Sequence, residues 1–83
     1  MTESYGDLVE EITTVRFTPT RIRDGYDMAQ VDGLLDRVVA ALGRGEPVDP
    51  LIDGARLAHV RLREGYDSAE VDAFLTGLRG RTG

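Results

Sequence analysis

The chain has 83 residues, 15 of them acidic and 10 basic, and a formal net charge of −5. This acidic balance argues against general nucleic-acid binding, which needs a basic surface. The chain has no cysteine, which excludes disulfides and thiolate metal sites. No segment approaches the roughly 20 apolar residues that cross a bilayer, and no signal peptide is visible, so we expect a cytoplasmic protein.

A short helix is the first predicted element. Asp7 can cap its first turn, and Glu10 follows at the spacing of a capping box. The next segment, residues 13–23, contains Pro19 and is rich in threonine, which favours an extended loop over a helix. We expect this loop to point apolar side chains inward, namely those of Val15, Phe17 and Ile22.

A turn and an amphipathic helix follow the loop. Gly25 permits a sharp change of direction, Tyr26 can bury its ring, and Asp27 can cap the next helix. The predicted helix, residues 28–42, carries one apolar stripe with helical spacing, formed by Val31, Leu34, Leu35, Val38 and Leu42. Residues 43–48 contain two glycines and a proline, and are predicted to be a linker.

The second half of the chain repeats the first. Residues 21–35 return without a gap as residues 61–75, and nine positions are identical. Asp49 and Pro50 predict a second short helix, and the turn returns as Gly65, Tyr66 and Asp67. The second amphipathic helix, residues 68–79, has the matching stripe of Val71, Phe74, Leu75 and Leu78.

The repeat predicts a mainly α-helical fold. Each unit reads as short helix, extended loop and amphipathic helix, with repeat 1 at residues 7–42 and repeat 2 at residues 49–79. Neither unit is large enough to fold alone, so we expect them to pack as one compact domain with pseudo-two-fold symmetry. Pairing of the loops as short β-strands would be a minor feature. The stripes could instead form the seam of a homodimer.

No residue pattern predicts catalysis, a metal or a cofactor, and we expect the protein not to be an enzyme. His59 is the only histidine and is interpreted as a solvent-facing loop residue. The acidic residues around the turns lack the spacing of a calcium-binding loop, and capping explains them. The best candidate partner surface is formed by Arg21, Arg23, Arg61 and Arg63, although pairing with neighbouring carboxylates such as Asp24 and Glu64 is the favoured interpretation.

The repeated motif resembles the N-terminal domain of the DivIVA family of bacterial cell-division and polarity proteins. Phe17, the turn at residues 25–27, Val31 and Asp32 carry the resemblance in repeat 1, and the run Arg63-Glu64-Gly65-Tyr66-Asp67-Ser68-Ala69-Glu70-Val71-Asp72-Ala73-Phe74-Leu75 carries it in repeat 2. The resemblance covers about residues 7–42 and 49–79. It implies a scaffold with crossed loops that dimerises, binds membranes and recruits division or cell-wall proteins. Small and repeated versions occur in actinobacteria.

The chain departs from the family pattern in two respects. No heptad coiled coil follows either copy, so one chain could supply both halves of a family dimer. The family's membrane tip has an apolar and a basic residue just before the turn. This chain has Arg-Asp at residues 23–24 and Arg-Glu at residues 63–64 instead. We therefore expect a protein–protein adaptor in cell division, polar growth or envelope organisation, recruited to the pole or septum. The alternatives are a peripheral membrane module and, less favoured, a nucleic-acid-associated regulator.

Overall fold

The structure, a computed structural model, describes residues 6–22 and 24–79. Within these ranges the chain forms four helices: Gly6–Thr14 (α1), Met28–Gly43 (α2), Asp49–Asp53 (α3) and Ser68–Leu78 (α4). The same ranges contain four short strands: Pro19–Thr20 (β1), Gly25–Tyr26 (β2), His59–Val60 (β3) and Gly65–Asp67 (β4). The order helix, strand, strand, helix thus occurs twice along the chain.

The prediction of a mainly α-helical fold is wrong, because the four strands form one antiparallel sheet in the order β1-β4-β2-β3. The molecule is a mixed α/β structure. Each strand has only two or three residues, which is too short for alternating hydrophobicity to be visible in the sequence. Pairing of the loops, expected only as a minor feature, joins all four strands by backbone hydrogen bonds.

The register of the sheet connects the two halves of the chain. The inner strands β2 and β4 pair with each other, and Tyr26 lies opposite Tyr66. The outer strand β1 pairs with β4, and the outer strand β3 pairs with β2. Each outer strand therefore pairs with the inner strand of the other half, so the two loops cross.

Capping side chains define where the two longer helices begin. A side-chain oxygen of Asp27 accepts a hydrogen bond from the backbone N–H of Gln30 at the start of α2. Asp67 does the same for Ala69 and Glu70 at the start of α4. These bonds satisfy backbone donors that the first helical turn leaves free.

The first helix is longer than expected and includes two threonines that were assigned to the loop. The hydroxyls of Thr13 and Thr14 donate to the carbonyl oxygen of Glu10, at 3.1 and 2.7 Å. Threonine hydroxyls can bond to the preceding helical turn in this way, so the β-branched pair ends α1 and does not leave it.

One apolar core is shared by both halves of the chain. Val31, Leu34 and Val38 of α2 are fully buried, and Val71 and Leu78 of α4 belong to the same cluster. The remaining buried members are Leu8, Ile12, Leu35, Ala41, Leu42, Val48 and Leu75. Val48, at the end of the predicted linker, is also fully buried, so the connection between the halves is anchored in this core.

The crossing of the strands depends on two glycines without room for a side chain. A Cβ atom on Gly65 would lie 2.5 Å from Cγ2 of Val60 and 2.8 Å from the carbonyl oxygen of Tyr26. A Cβ atom on Gly25 would lie 2.9 Å from the carbonyl oxygen of Tyr66. Backbone atoms of the other half therefore fill the space beside both glycines.

We expect Gly65→Ala to lower the free energy of unfolding by about 1–3 kcal/mol, because the methyl group would overpack the strand crossing. Gly33→Ala is the matched control, since nothing lies within 4 Å of a Cβ atom there. That helical substitution should raise the stability by up to about 1 kcal/mol. Urea unfolding followed by circular dichroism measures both. Equal stabilities of the two variants would contradict the close crossing.

Candidate functional site: the crossed loops

Two tyrosines join the halves through reciprocal hydrogen bonds. The phenol of Tyr26 donates to Oδ1 of Asp72 on α4, at 2.7 Å. The phenol of Tyr66 donates to Oδ1 of Asp32 on α2, at 2.9 Å. Each inner strand is thereby fixed to the helix of the opposite half. The turn tyrosines thus reach carboxylates on exposed positions of the two longer helices.

Residues on the first turn of each helix also hold the opposite loop. The side-chain carbonyl of Gln30 accepts from the backbone N–H of Ala58 at 2.6 Å. In the other half, Glu70 accepts from both the backbone N–H and the hydroxyl of Thr18, at 2.7 and 2.9 Å. The backbone carbonyls of Ala58 and Thr18 in turn accept from the N–H groups of Asp27 and Asp67. The crossing is therefore held by polar contacts at both ends.

These contacts change the acidity of the tyrosines. The hydrogen bond to Asp72, together with burial and the nearby carboxylate charges, raises the pKa of Tyr26 to about 12. Burial, and then the hydrogen bond to Asp32, raises the pKa of Tyr66 above its usual value. Both phenols therefore remain hydrogen-bond donors throughout the physiological pH range.

One half of the crossing contains a polar cluster around Asp24. Nδ1 of His59 lies 2.7 Å from Oδ2 of Asp24, and Nε of Arg61 lies 4.0 Å from Oδ1. The hydroxyl of Ser68 donates to the same carboxylate at 3.3 Å. His59 had been interpreted as a loop residue, but it lies in β3 with its ring centroid 4.8 Å from that of Tyr26. The ring is more than half exposed.

The tips of the two loops expose large apolar side chains. Ile22 is 91% exposed and Leu62, its equivalent in repeat 2, is 94% exposed. The expectation that Ile22 points inward is wrong, whereas Val15 and Phe17 pack against the core. The backbone N–H of Leu62 donates to the carbonyl of Arg21 at 3.1 Å, so the two loops meet at this end.

Leu62 also adopts an unusual backbone conformation. Its φ angle is +64°, in the left-handed region that a side chain of this size rarely occupies. Such a conformation costs about 1–2 kcal/mol and is typical of sites where the surrounding structure holds a residue for a purpose. We call Arg21, Ile22, Arg61, Leu62 and Arg63 the tip.

The apolar part of the tip was not predicted, for an identifiable reason. In the family pattern the apolar residue of the tip falls at positions 23–24 and 63–64, and the exposed residues of this chain lie one position earlier. The signal was present, because both repeats place a branched apolar residue between two arginines. Ile22 and Leu62 lie in bends between the strands, where an alternating pattern cannot distinguish an inward from an outward side chain.

The predicted arginine surface is only partly neutralised. Arg63 donates to Oδ2 of Asp27 at 3.1 Å, which contributes, after the backbone N–H of Gln30, to lowering the pKa of Asp27. Nε of Arg61 lies 4.0 Å from Oδ1 of Asp24, which is too far for a hydrogen bond. Arg21 has no carboxylate partner among the described residues. The prediction for Arg23 lies outside the described residues. The tip therefore combines exposed apolar and cationic groups.

The structure places the other predicted residues away from this surface. The stripe residues are buried, except that Phe74 is half-buried and packs edge-to-face against Phe17 with ring centroids 5.6 Å apart. Over residues 6–22 and 24–79, no group of histidine, aspartate and glutamate side chains could hold a metal ion. No helix in these ranges is long and apolar enough to cross a membrane.

Comparison with known proteins does not assign the chain to a family. No protein-family model matches the sequence, no curated protein matches it, and no solved structure matches it. The resemblance to the DivIVA family consequently depends on the repeated motif alone.

The raised pKa of Tyr26 predicts a specific loss of stability at alkaline pH. The pKa of Tyr26 is about 12 in the folded state and near 10 in the unfolded state, so the protonated phenol stabilises the folded state. This stabilisation is fully present below pH 10 and should disappear as the pH rises from about 10 to about 12. Urea unfolding at pH 9 and pH 11.5 measures the difference.

The control for this prediction is Tyr26→Phe, which removes the phenol and its bond to Asp72. The variant should be less stable at pH 9, by about 0.5–1.5 kcal/mol, and should lose less stability than the parent chain at pH 11.5. The same dependence on pH in both proteins would show that the bond does not stabilise the folded state.

Proposed function

We propose that this chain is a non-enzymatic, DivIVA-like adaptor that attaches reversibly to anionic membranes through its tip. The observation that carries the proposal is the exposure of Ile22 and Leu62 at equivalent places in both repeats. Surface-exposed apolar residues are common singly, but two that protrude from adjacent loops between cations are typical of an interaction site.

The apolar contribution of the tip is modest. Full burial of one leucine or isoleucine side chain is worth about 1.5–3 kcal/mol, so both together would contribute about 3–6 kcal/mol. The upper end of that range is comparable to the binding free energy of a single myristoyl chain, which gives only marginal and reversible membrane binding. The tip alone would therefore anchor the protein transiently.

The arginines make the attachment selective for anionic lipid. Each arginine near an anionic surface adds about 1 kcal/mol, and Arg21 has no carboxylate partner among the described residues to oppose it. Arg61 and Arg63 are three-quarters and two-thirds exposed, so lipid phosphates can compete for them with Asp24 and Asp27. The overall charge of −5 would repel an anionic surface, which makes the orientation with the tip towards the membrane the favourable one.

The adaptor role follows from the family resemblance and from the covalent pairing of the repeats. A DivIVA dimer would present two crossed loops from two chains, and here one chain presents both. Covalent linkage replaces association by a high effective concentration, so the module would not need a partner chain to form its tip. We propose a role in cell division, polar growth or envelope organisation, on the cytoplasmic face of the membrane at the pole or septum.

Vesicle flotation tests the membrane role directly. We expect the intact chain to float with vesicles of phosphatidylglycerol and phosphatidylcholine, and to float poorly with phosphatidylcholine alone. The double variant Ile22→Ser with Leu62→Ser should reduce the bound fraction about tenfold or more, because it removes the apolar contribution. Both side chains are exposed, so the variant should fold normally.

A charge control accompanies this experiment. Arg61→Gln in the tip should weaken flotation, whereas Arg37→Gln on the solvent-exposed side of α2 should leave it nearly unchanged. The membrane role is refuted if the intact chain does not float with anionic vesicles, or if the double serine variant floats as well as the parent.

A further inference from the structure

Two grooves occupy equivalent places in the two halves. Groove 1 lies between α1 and α2, with Ile12 and Leu35 among its lining residues. Groove 2 lies between α3 and α4, with Ile52 and Leu75 at the same positions of the repeat. The grooves are thus copies of one surface, and their differences come from substitutions between the repeats.

The two grooves differ in size. Groove 1 has a volume of about 410 Å³ and groove 2 of about 860 Å³. Val15 and Phe17 occupy groove 1, and the Phe17 ring packs against Tyr66 with ring centroids 5.4 Å apart. Groove 2 has the smaller Ala55 and Leu57 at these positions. The larger side chains of repeat 1 consequently narrow groove 1, and groove 2 is wider at the same place.

The two grooves also differ in charge. Groove 1 is lined by Asp32, Asp36 and Arg16, two carboxylates and one guanidinium group. Groove 2 has the opposite balance, with one carboxylate and two guanidinium groups from Asp72, Arg56 and Arg79. Thr76 in groove 2 stands at the position of Asp36 in groove 1, and Arg79 stands at the position of Val39. The sign of the fixed charge therefore changes from negative to positive.

Most of the charged groups in groove 2 already have partners. Arg79 makes two hydrogen bonds to Asp53, at 2.9 and 3.1 Å, and Asp72 accepts from Tyr26. Arg56 differs, because its only recorded bond among the described residues is a 3.4 Å contact with the carbonyl oxygen of Ala55. Groove 2 thus combines an open apolar floor with one guanidinium group that no carboxylate neutralises.

We propose that groove 2 binds a segment of a partner protein that carries apolar side chains next to a carboxylate. The apolar side chains would lie over Ile52, Ala55 and Leu57, and the carboxylate would pair with Arg56. A planar guanidinium group can bind a carboxylate through two hydrogen bonds, which supports this choice of partner. The inference rests on the proposed adaptor role, and it identifies the chemistry of the recruited protein.

Groove 1 is the internal negative control. It has the same position in the fold, but its own valine and phenylalanine narrow it, and its carboxylates would repel an acidic segment. Binding should therefore be confined to repeat 2. One recruited partner would be held by each chain, in contrast to the two equivalent sites of a symmetric dimer.

The test selects short random peptides by phage display on the intact chain, in the absence of lipid. We expect the selected peptides to be enriched in glutamate or aspartate beside leucine, isoleucine or phenylalanine. The affinity of a selected peptide is then measured by fluorescence polarisation for the parent chain and its variants. Arg56→Glu should weaken binding about tenfold or more, since it replaces attraction by repulsion.

A second variant tests the apolar part of groove 2. Ala55→Val with Leu57→Phe gives groove 2 these two side chains of groove 1, and should weaken peptide binding about tenfold or more by narrowing the space. The matched control in groove 1 is Arg16→Glu, which should change the peptide affinity less than about twofold. Thermal melts establish that each variant folds. The arginine substitutions are exposed, so they keep the test valid if the narrowed variant does not fold.

Three results would overturn the proposal: selected peptides without acidic residues, equal losses for Arg16→Glu and Arg56→Glu, or a parent chain that doubles in mass through groove 2. The last result would assign the groove to a second copy of the chain, and narrowing it would restore the monomer. Since this test contains no vesicles, its failure is distinguishable from a failure of the membrane role.

Discussion

The crossing of the strands, secured by the reciprocal bonds of Tyr26 and Tyr66, is the constraint on which the rest of the structure depends. Each phenol reaches a carboxylate on the helix of the other half, and the two tyrosines face each other across the inner strands. Without the crossing, the chain would consist of two units of about 40 residues, which is near the lower limit for independent folding. Neither unit could then bury the apolar stripe of its amphipathic helix. The core therefore depends on the crossing.

The crossing also determines what the molecule exposes. Because the outer strands pair with the opposite inner strands, both loops turn at the same end and their tips meet through the bond between Leu62 and Arg21. The tip is thus assembled from both repeats, whereas each groove is lined mainly by one repeat, with Tyr66 added to groove 1 and Tyr26 and Gln30 added to groove 2. A substitution in one repeat can change one groove without changing the other, and the differences between grooves 1 and 2 are of this kind.

Particular residues explain how far the sequence could be interpreted. The amphipathic helix predicted at residues 28–42 is observed as Met28–Gly43, because its apolar spacing and the cap at Asp27 are local signals. The sheet could not be predicted in the same way. Its strands have two or three residues, which is barely one period of the alternating strand pattern, and pairs such as Thr20 with Gly65 depend on contacts far apart in the chain. The fold class was wrong for this reason.

The candidate site was predicted in part. The arginines of the tip are visible in the repeated sequence, but the outward direction of Ile22 and Leu62 depends on the course of the backbone after the sheet. The grooves could not be inferred from the sequence, because a cavity depends on how neighbouring helices pack. Groove 2 is larger because Ala55 and Leu57 stand at the positions of Val15 and Phe17. The effect of these two substitutions can be recognised only in the structure, where both pairs line a groove.

The most direct test of the account is the solution mass of the intact chain, measured by light scattering from micromolar to near-millimolar concentration without lipid. If one chain completes its own crossing, the mass should equal that of a single chain at every concentration, because intramolecular pairing does not depend on dilution. A mass that rises to twice this value with concentration, and that does so also in the groove 2 variant Ala55→Val with Leu57→Phe, would show that the strands pair between chains. That result would contradict the claim that one chain stands in for a dimer.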